Sequence, residues 1–200
     1  STRLPDSMRT LPRPVNWAIN LGILGLIIAC YVANRMSAFT VERATAGALV
    51  VAHDNVRTRM SSDQFVAAFD RTVPASPKAA LPVVTFNDQV TFHVGGHTVQ
   101  AIHIPNGHTD GDAIVHLKEV DVIHTGDLVF YGLYPVIDYS NGGSLKGMAD
   151  ATARLLAMSD ADTRFIPGHG PVVVGRQEIA EYLEMLRVVH ARRETLIGEG

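Results

Sequence analysis

Three short segments combine imidazole or carboxylate side chains with glycine: Asn106-Gly107-His108-Thr109-Asp110-Gly111-Asp112, His124-Thr125-Gly126-Asp127 and Pro167-Gly168-His169-Gly170. Each follows a run that reads as a strand. A strand fixes where the loop begins, and glycine lets the backbone turn sharply enough to aim a side chain into a shared site. Imidazole and carboxylate are the usual donors to Zn²⁺ where cysteine is absent. The segments are far apart in sequence, so only the fold can bring them together. Taken singly, His108 could satisfy a turn, Asp127 could cap one, and His169 could bind a loop carbonyl. Three such loops in one chain favour a metal site.

The elements that would position these loops can be read from the pattern. Ala48–Ala52 (ALVVA) is a short apolar run, expected as a buried strand. Asp54 or Asn55 is expected to cap a helix over VRTRM, and Ser61 or Ser62 a second over SDQFVAAFDR. Short β-rich runs follow at 83–86, 89–94, 97–104, 112–118 and 121–124, with turn signals at Asn87-Asp88 and Gly95-Gly96. They are expected as consecutive antiparallel strands. The period then becomes helical. Met148, Ala151, Leu155 and Met158 recur behind Ser144, a capping residue. Thr163–Ile166 reads as a strand ending at Pro167. Ile179, Tyr182, Leu183, Leu186, Val189 and Ile197 mark a long amphipathic helix ending at Gly198. This order predicts an α/β fold with sheet layers covered by helices.

Composition bounds the function. At 200 residues and 21.6 kDa the chain is sized for one domain. Hydrophobic residues make up 46% and the mean hydropathy is +0.13, which excludes a disordered chain. Seventeen basic against twenty acidic residues give a net charge of −3, against a nucleic-acid partner. The single Cys30 excludes an intramolecular disulfide and the paired-cysteine zinc motifs. All nine histidines lie at or after His53.

The N-terminal part is different. Pro14 to Asn34 is a run of 21 uncharged residues between Arg13 and Arg35. It is long enough for a membrane span, with Arg3, Arg9 and Arg13 placing the N-terminus in the cytoplasm. It also resembles a secretory apolar region, and Ile27-Ile28-Ala29-Cys30 resembles a lipoprotein cysteine box. The competing reading is a buried strand and helix of a core.

GHTDGD, HTGDLVF and PGHGP, in this order and at these distances, resemble the metallo-β-lactamase-fold hydrolases, in the cyclase-like or quinoprotein-associated branch. AHDNVRTRM (52–60), VGGHTVQ (94–100) and YPVIDYSNGGS (134–144) extend the resemblance over about three quarters of the chain. The resemblance implies an αββα sandwich and zinc-dependent hydrolysis of an ester, thioester, lactone or amide carbonyl in a small-molecule substrate. It implies that His108 is a ligand of one zinc and His169 of the other. Asp127 would be the catalytic carboxylate that bridges both. Thr109, Asp110 and Asp112 would support them from behind, and Leu128-Val129-Phe130 with the loop 131–144 would shape the substrate side.

The family's strongest motif, H-x-H-x-D-H, is missing. Pro14-Val15-Asn16-Trp17-Ala18-Ile19-Asn20 resembles the strand that leads into it, and the resemblance resumes near Gly47. Residues 21–46 have no counterpart, and the family's earlier strands are absent. The domain division expected from this is a divergent segment 1–46 and the later part of a metallo-β-lactamase-like domain over 47–200. A local frame change in the coding DNA would produce this pattern, and so would a new membrane anchor. Reading codons 21–46 in the other two frames for the lost histidines separates the two.

With half the ligands gone, at most one zinc and impaired turnover are expected. The alternative is an inactive relative that binds a metal or a partner, tethered to a membrane if 14–34 spans. Otherwise the family implies a bacterial soluble or periplasmic location. Lost strands would leave an unpaired sheet edge, so oligomerisation is also expected. His93, His97, His103 and His116 read as ordinary strand residues.

Overall fold

A computed structural model of the chain describes residues 27–28, 49–170 and 173–198. Strand β1 is Ile27–Ile28 and β2 is Val50–His53, and the two run parallel. All four β2 residues are buried, which is how a parallel strand covered on both faces reads. Val50 and Ala52 pack with Val56 and Met60 of helix α1, Asp54–Met60. Val51 points the other way and packs with Phe86, Ala101 and Ala113. This alternation stacks a helix, a first sheet and a second sheet.

The first sheet is completed by β5, Val84–Phe86, parallel to β2. Between them lies a small antiparallel hairpin, β3 (Gln64–Val66) and β4 (Arg71–Val73). The second sheet holds β6 (Gln89–Val94), β7 (His97–His103), β8 (Ala113–Leu117), β9 (Val122–Phe130) and β10 (Arg164–His169). Its spatial order is β10-β9-β8-β7-β6, antiparallel except for the parallel β9–β10 pair. Helices α2 (Leu145–Ala157) and α3 (Arg176–Gly198) cover its outer face. Leu128, Met148, Leu155, Phe165, Ile179 and Leu186 form the heart of that interface, all essentially inaccessible. The layers are therefore α, β, β, α, as the resemblance implies.

Four local expectations change. β5 does not pair with β6: Asn87-Asp88 carries the chain from the first sheet to the second instead of closing a hairpin. SDQFVAAFDR is a hairpin and not a helix. Asp70 takes a left-handed conformation (φ 44°) after a 3-10 turn, and Thr72 and Val73 on the return strand are β-branched. Helix α1 is capped by His53, whose Nδ1 accepts the Asn55 N–H, rather than by Asp54 or Asn55. β9 runs on past His124 to Phe130, with Gly126 held at φ 56° inside the strand. The Gly95-Gly96 turn does close β6 and β7, with both glycines at positive φ as a type I′ turn needs. Ser144 caps α2 by accepting the Gly147 N–H.

Most of the apolar run 14–34, including PVNWAIN, lies outside the described residues. Its described pair, Ile27–Ile28, is a strand of the first sheet. Among the described residues no helix is long and apolar enough to cross a membrane.

Candidate functional site

The three sequence segments meet. His108 sits in the loop between β7 and β8, Asp127 within β9, and His169 at the end of β10. β9 and β10 are parallel neighbours; a register shift after Pro167 sets His169 opposite Phe130, and from there its ring reaches Asp127. Gly168 makes this approach possible: a Cβ there would lie 2.6 Å from Asp127 Oδ1. His169 Nε2 is 3.3 Å from Asp127 Oδ1, and His108 Nε2 is 3.8 Å from Asp127 Oδ2. The carboxylate thus stands between two imidazoles, one facing each oxygen.

Asp127 is buried, and among the described residues its Oδ2 has no hydrogen-bond partner. Burial pushes its carboxyl group up, while His108 and then His169 pull it down. A buried carboxylate oxygen without a donor is costly unless a cation lies against it. His108 is buried too, and its Nδ1 is 2.7 Å from the Val136 carbonyl. A carbonyl can only accept, so Nδ1 carries a proton and Nε2 is the ring nitrogen left to face Asp127. His169 is more open, and its ring stacks on Phe130 with centroids 4.4 Å apart.

The donors fit a metal centre in part. Asp127 offers one oxygen to each histidine side, which gives two donors at each of two positions. A firmly held zinc takes at least three protein donors. Among the described residues no group of three or more His, Cys, Asp or Glu side chains is arranged to hold an ion. Neither position is complete on these residues alone.

The supporting residues divide. Asp112 is buried and holds its own loop: its Oδ2 accepts the Thr109 N–H at 3.0 Å and its Oδ1 the Thr109 hydroxyl at 2.7 Å. Burial raises the Asp112 carboxyl group to about 6, against the pull of the Thr109 donors. Asp110 turns to the Arg59 guanidinium, with Nε to Oδ1 at 2.8 Å and an NH2 to Oδ2 contact of 2.5 Å. Leu128 and Val129 lie in the core and not on the substrate side; of that trio only Phe130 reaches the site, through His169. The loop after β9 spans it. Tyr131 N–H donates to the His169 carbonyl at 2.9 Å, and the Val136 carbonyl meets His108, so residues 131–136 run from one histidine to the other. Leu133 and Tyr134, between these anchors, are exposed.

Sequence reasoning missed Arg59, Asp138 and Asn141, which hold the His108 loop, and the His53–His103 pair. Those two rings stack at 3.7 Å beneath the same loop, and His103 Nδ1 donates to the Asp112 carbonyl. The i, i+4 spacing of Asn55 and Arg59 was the available signal: it puts both side chains on one face of α1.

The model of the metallo-beta-lactamase superfamily matches residues 40–187. The chain belongs to this superfamily. Membership supports, in general terms, a metal-dependent hydrolase type of function. Solved metallo-beta-lactamase-like structures share the fold at low identity. One is a metallo-beta-lactamase from Pontibacter korlensis, 23% identical with a TM-score of 0.56, covering 75% of this chain and 62% of that one. A second is the B3 metallo-beta-lactamase BLEG-1, 18% identical with a TM-score of 0.57, covering 76% and 72%. A third is TTHA1623 in a di-iron-bound form, 22% identical with a TM-score of 0.57, covering 86% and 84%. No curated protein sequence matches the chain.

Proposed function

We propose that this metallo-beta-lactamase superfamily member is a hydrolase of reduced power. Its metal centre would be built on Asp127, with His108 on one side and His169 on the other. The observation that carries this reading is the buried Asp127 carboxylate. Among the described residues its Oδ2 has no donor, and an imidazole nitrogen stands beside each oxygen. A bound metal would lower the pKa of water toward ~7 and polarise a substrate carbonyl. The likeness to a di-iron-bound neighbour supports a metal in general, and the oxygen and nitrogen donors suit zinc or iron alike.

The chain's own residues would do the rest. Val136 holds His108 Nδ1, which leaves Nε2 as the nitrogen that would face a metal. Phe130 fixes the His169 ring by stacking. The uncharged loop 131–136 would receive the part of an ester, thioester, lactone or amide that lies beyond the carbonyl. Among the described residues each metal position has two donors, which predicts weak binding and slow turnover.

The absence of a three-donor group among the described residues favours a second reading, an inactive relative that binds a metal or partner without turnover. Hydrolysis of aryl ester, thioester, lactone and β-lactam probes with zinc or iron(II) present separates them. Turnover that Asp127→Ala removes supports the first reading. Metal binding without turnover of any probe supports the second.

A further inference from the structure

The loop that carries His108 is clamped from two sides, and one side chain touches both clamps. On the first side, α1 presses against the loop. Asn55 Nδ2 donates to the Asp110 carbonyl at 2.9 Å, and a Cβ on Gly111 would lie 2.7 Å from Val56 Cγ2. On the second side, the turn at 138–143 holds His108 itself. The Asp138 N–H donates to the His108 carbonyl at 3.0 Å, and Gly143 packs so closely on that carbonyl that no side chain fits. Asn141 braces Asp138, donating from Nδ2 to its Oδ2 at 2.6 Å.

Arg59 joins the two. Its Nε and one terminal nitrogen grip the two Asp110 oxygens, and its other terminal nitrogen donates to Asn141 Oδ1 at 2.8 Å. We propose that Arg59, through Asp110 and Asn141, is a positioning residue that holds the His108 ring with Nε2 facing Asp127. The proposal rests on the metal-site reading for its consequence, but the positioning itself does not need a metal. The geometry requires arginine. The planar fork reaches a carboxylate with two donors and a separate amide with a third, which a lysine ammonium at this place cannot do. The ion pair is partly shielded, with each side chain about a quarter exposed. Arg59 reaches the site through what it grips: Asp110 lies two residues from His108 in the loop, and Asn141 braces the Asp138 turn that holds the His108 carbonyl.

The test uses the full chain and its Arg59→Lys and Asp110→Asn variants, with Arg193→Lys on the exposed end of α3 as control. The first readout is the ring ¹⁵N signature of His108 without metal. The parent should show the Nδ1–H tautomer, locked by Val136. Both loop variants should show averaged tautomers while their thermal unfolding stays cooperative, and the control should match the parent. The second readout is zinc affinity by calorimetry, expected to fall by about 10–100-fold in both variants. Variants that lose stability but keep the parent ring signature would overturn the proposal and leave Arg59 as a scaffold residue only. If the parent takes up no zinc, the metal-site reading fails, while the ring signature still decides the positioning.

Discussion

Asp127 Oδ2 lies 3.8 Å from His108 Nε2, too far for a hydrogen bond, and among the described residues it meets no other donor although it is buried. Replacing Asp127 with Asn keeps the shape and removes the buried charge. Asp127→Asn should therefore stabilise the metal-free protein, by about 1–3 kcal/mol, while weakening zinc uptake. Chemical denaturation of both proteins in a chelating buffer checks the first half. An unchanged or lower stability would mean that the carboxylate is satisfied in a way the geometry does not reveal.

The contribution of the buried histidines to stability should fall on mild acidification. His53, His116 and His124 all have their pKa lowered from 6.5, with burial the largest cause in each. His53 is lowered further by the stacked His103 and raised by Asp54, the Asn87 backbone and Asp110. A depressed folded pKa means that the unfolded chain takes up protons first. The folded state is then fully favoured above the unfolded value of 6.5 and loses ground as pH drops below it. Asp112, whose carboxyl group burial raises to about 6, takes up its proton first in the folded state and works the other way over this interval, so the test is a difference: the melting temperature of His53→Gln should gain on that of the parent between pH 7 and 5.5. A difference between the two proteins that does not change with pH would contradict the assignment.

Two glycines offer a matched comparison. At Gly143 an added Cβ would run into the His108 carbonyl, whereas at Gly96 it would meet nothing within 4 Å and only the φ of 81° opposes it. Gly96→Ala should cost roughly 1–2 kcal/mol from left-handed strain alone. Gly143→Ala should cost about 1–3 kcal/mol from overpacking and should also shift the His108 ring resonances. Equal shifts in both variants would show that the 138–143 turn does not hold the histidine.

Strands β6 to β9 of the second sheet were legible because they are local in the chain; β10 joins them in parallel from more than thirty residues away. Gln89–Val94 and His97–His103 are joined by a diglycine turn whose chemistry admits one hairpin. The first sheet was not legible in this way. Val84–Phe86 pairs with Val50–His53 across more than thirty residues of chain, and nothing in a three-residue apolar run specifies a distant parallel partner. SDQFVAAFDR misled because its apolar residues fit a helical period, while the left-handed Asp70 and the β-branched return strand decide for a hairpin. At the site, His108, Asp127 and His169 were readable because glycine-flanked ligand types are conspicuous. Arg59 and Asn141 were not, since an arginine on a short helix and an asparagine in a turn look like surface residues until the fold joins them.

The account stands most directly on zinc binding by the full chain, measured by calorimetry beside Asp127→Ala, His108→Ala and His169→Ala. It predicts zinc binding by the parent that Asp127→Ala abolishes and either histidine change weakens, because Asp127 serves both sides. Zinc binding that survives Asp127→Ala unchanged, or a parent that binds none, would contradict it.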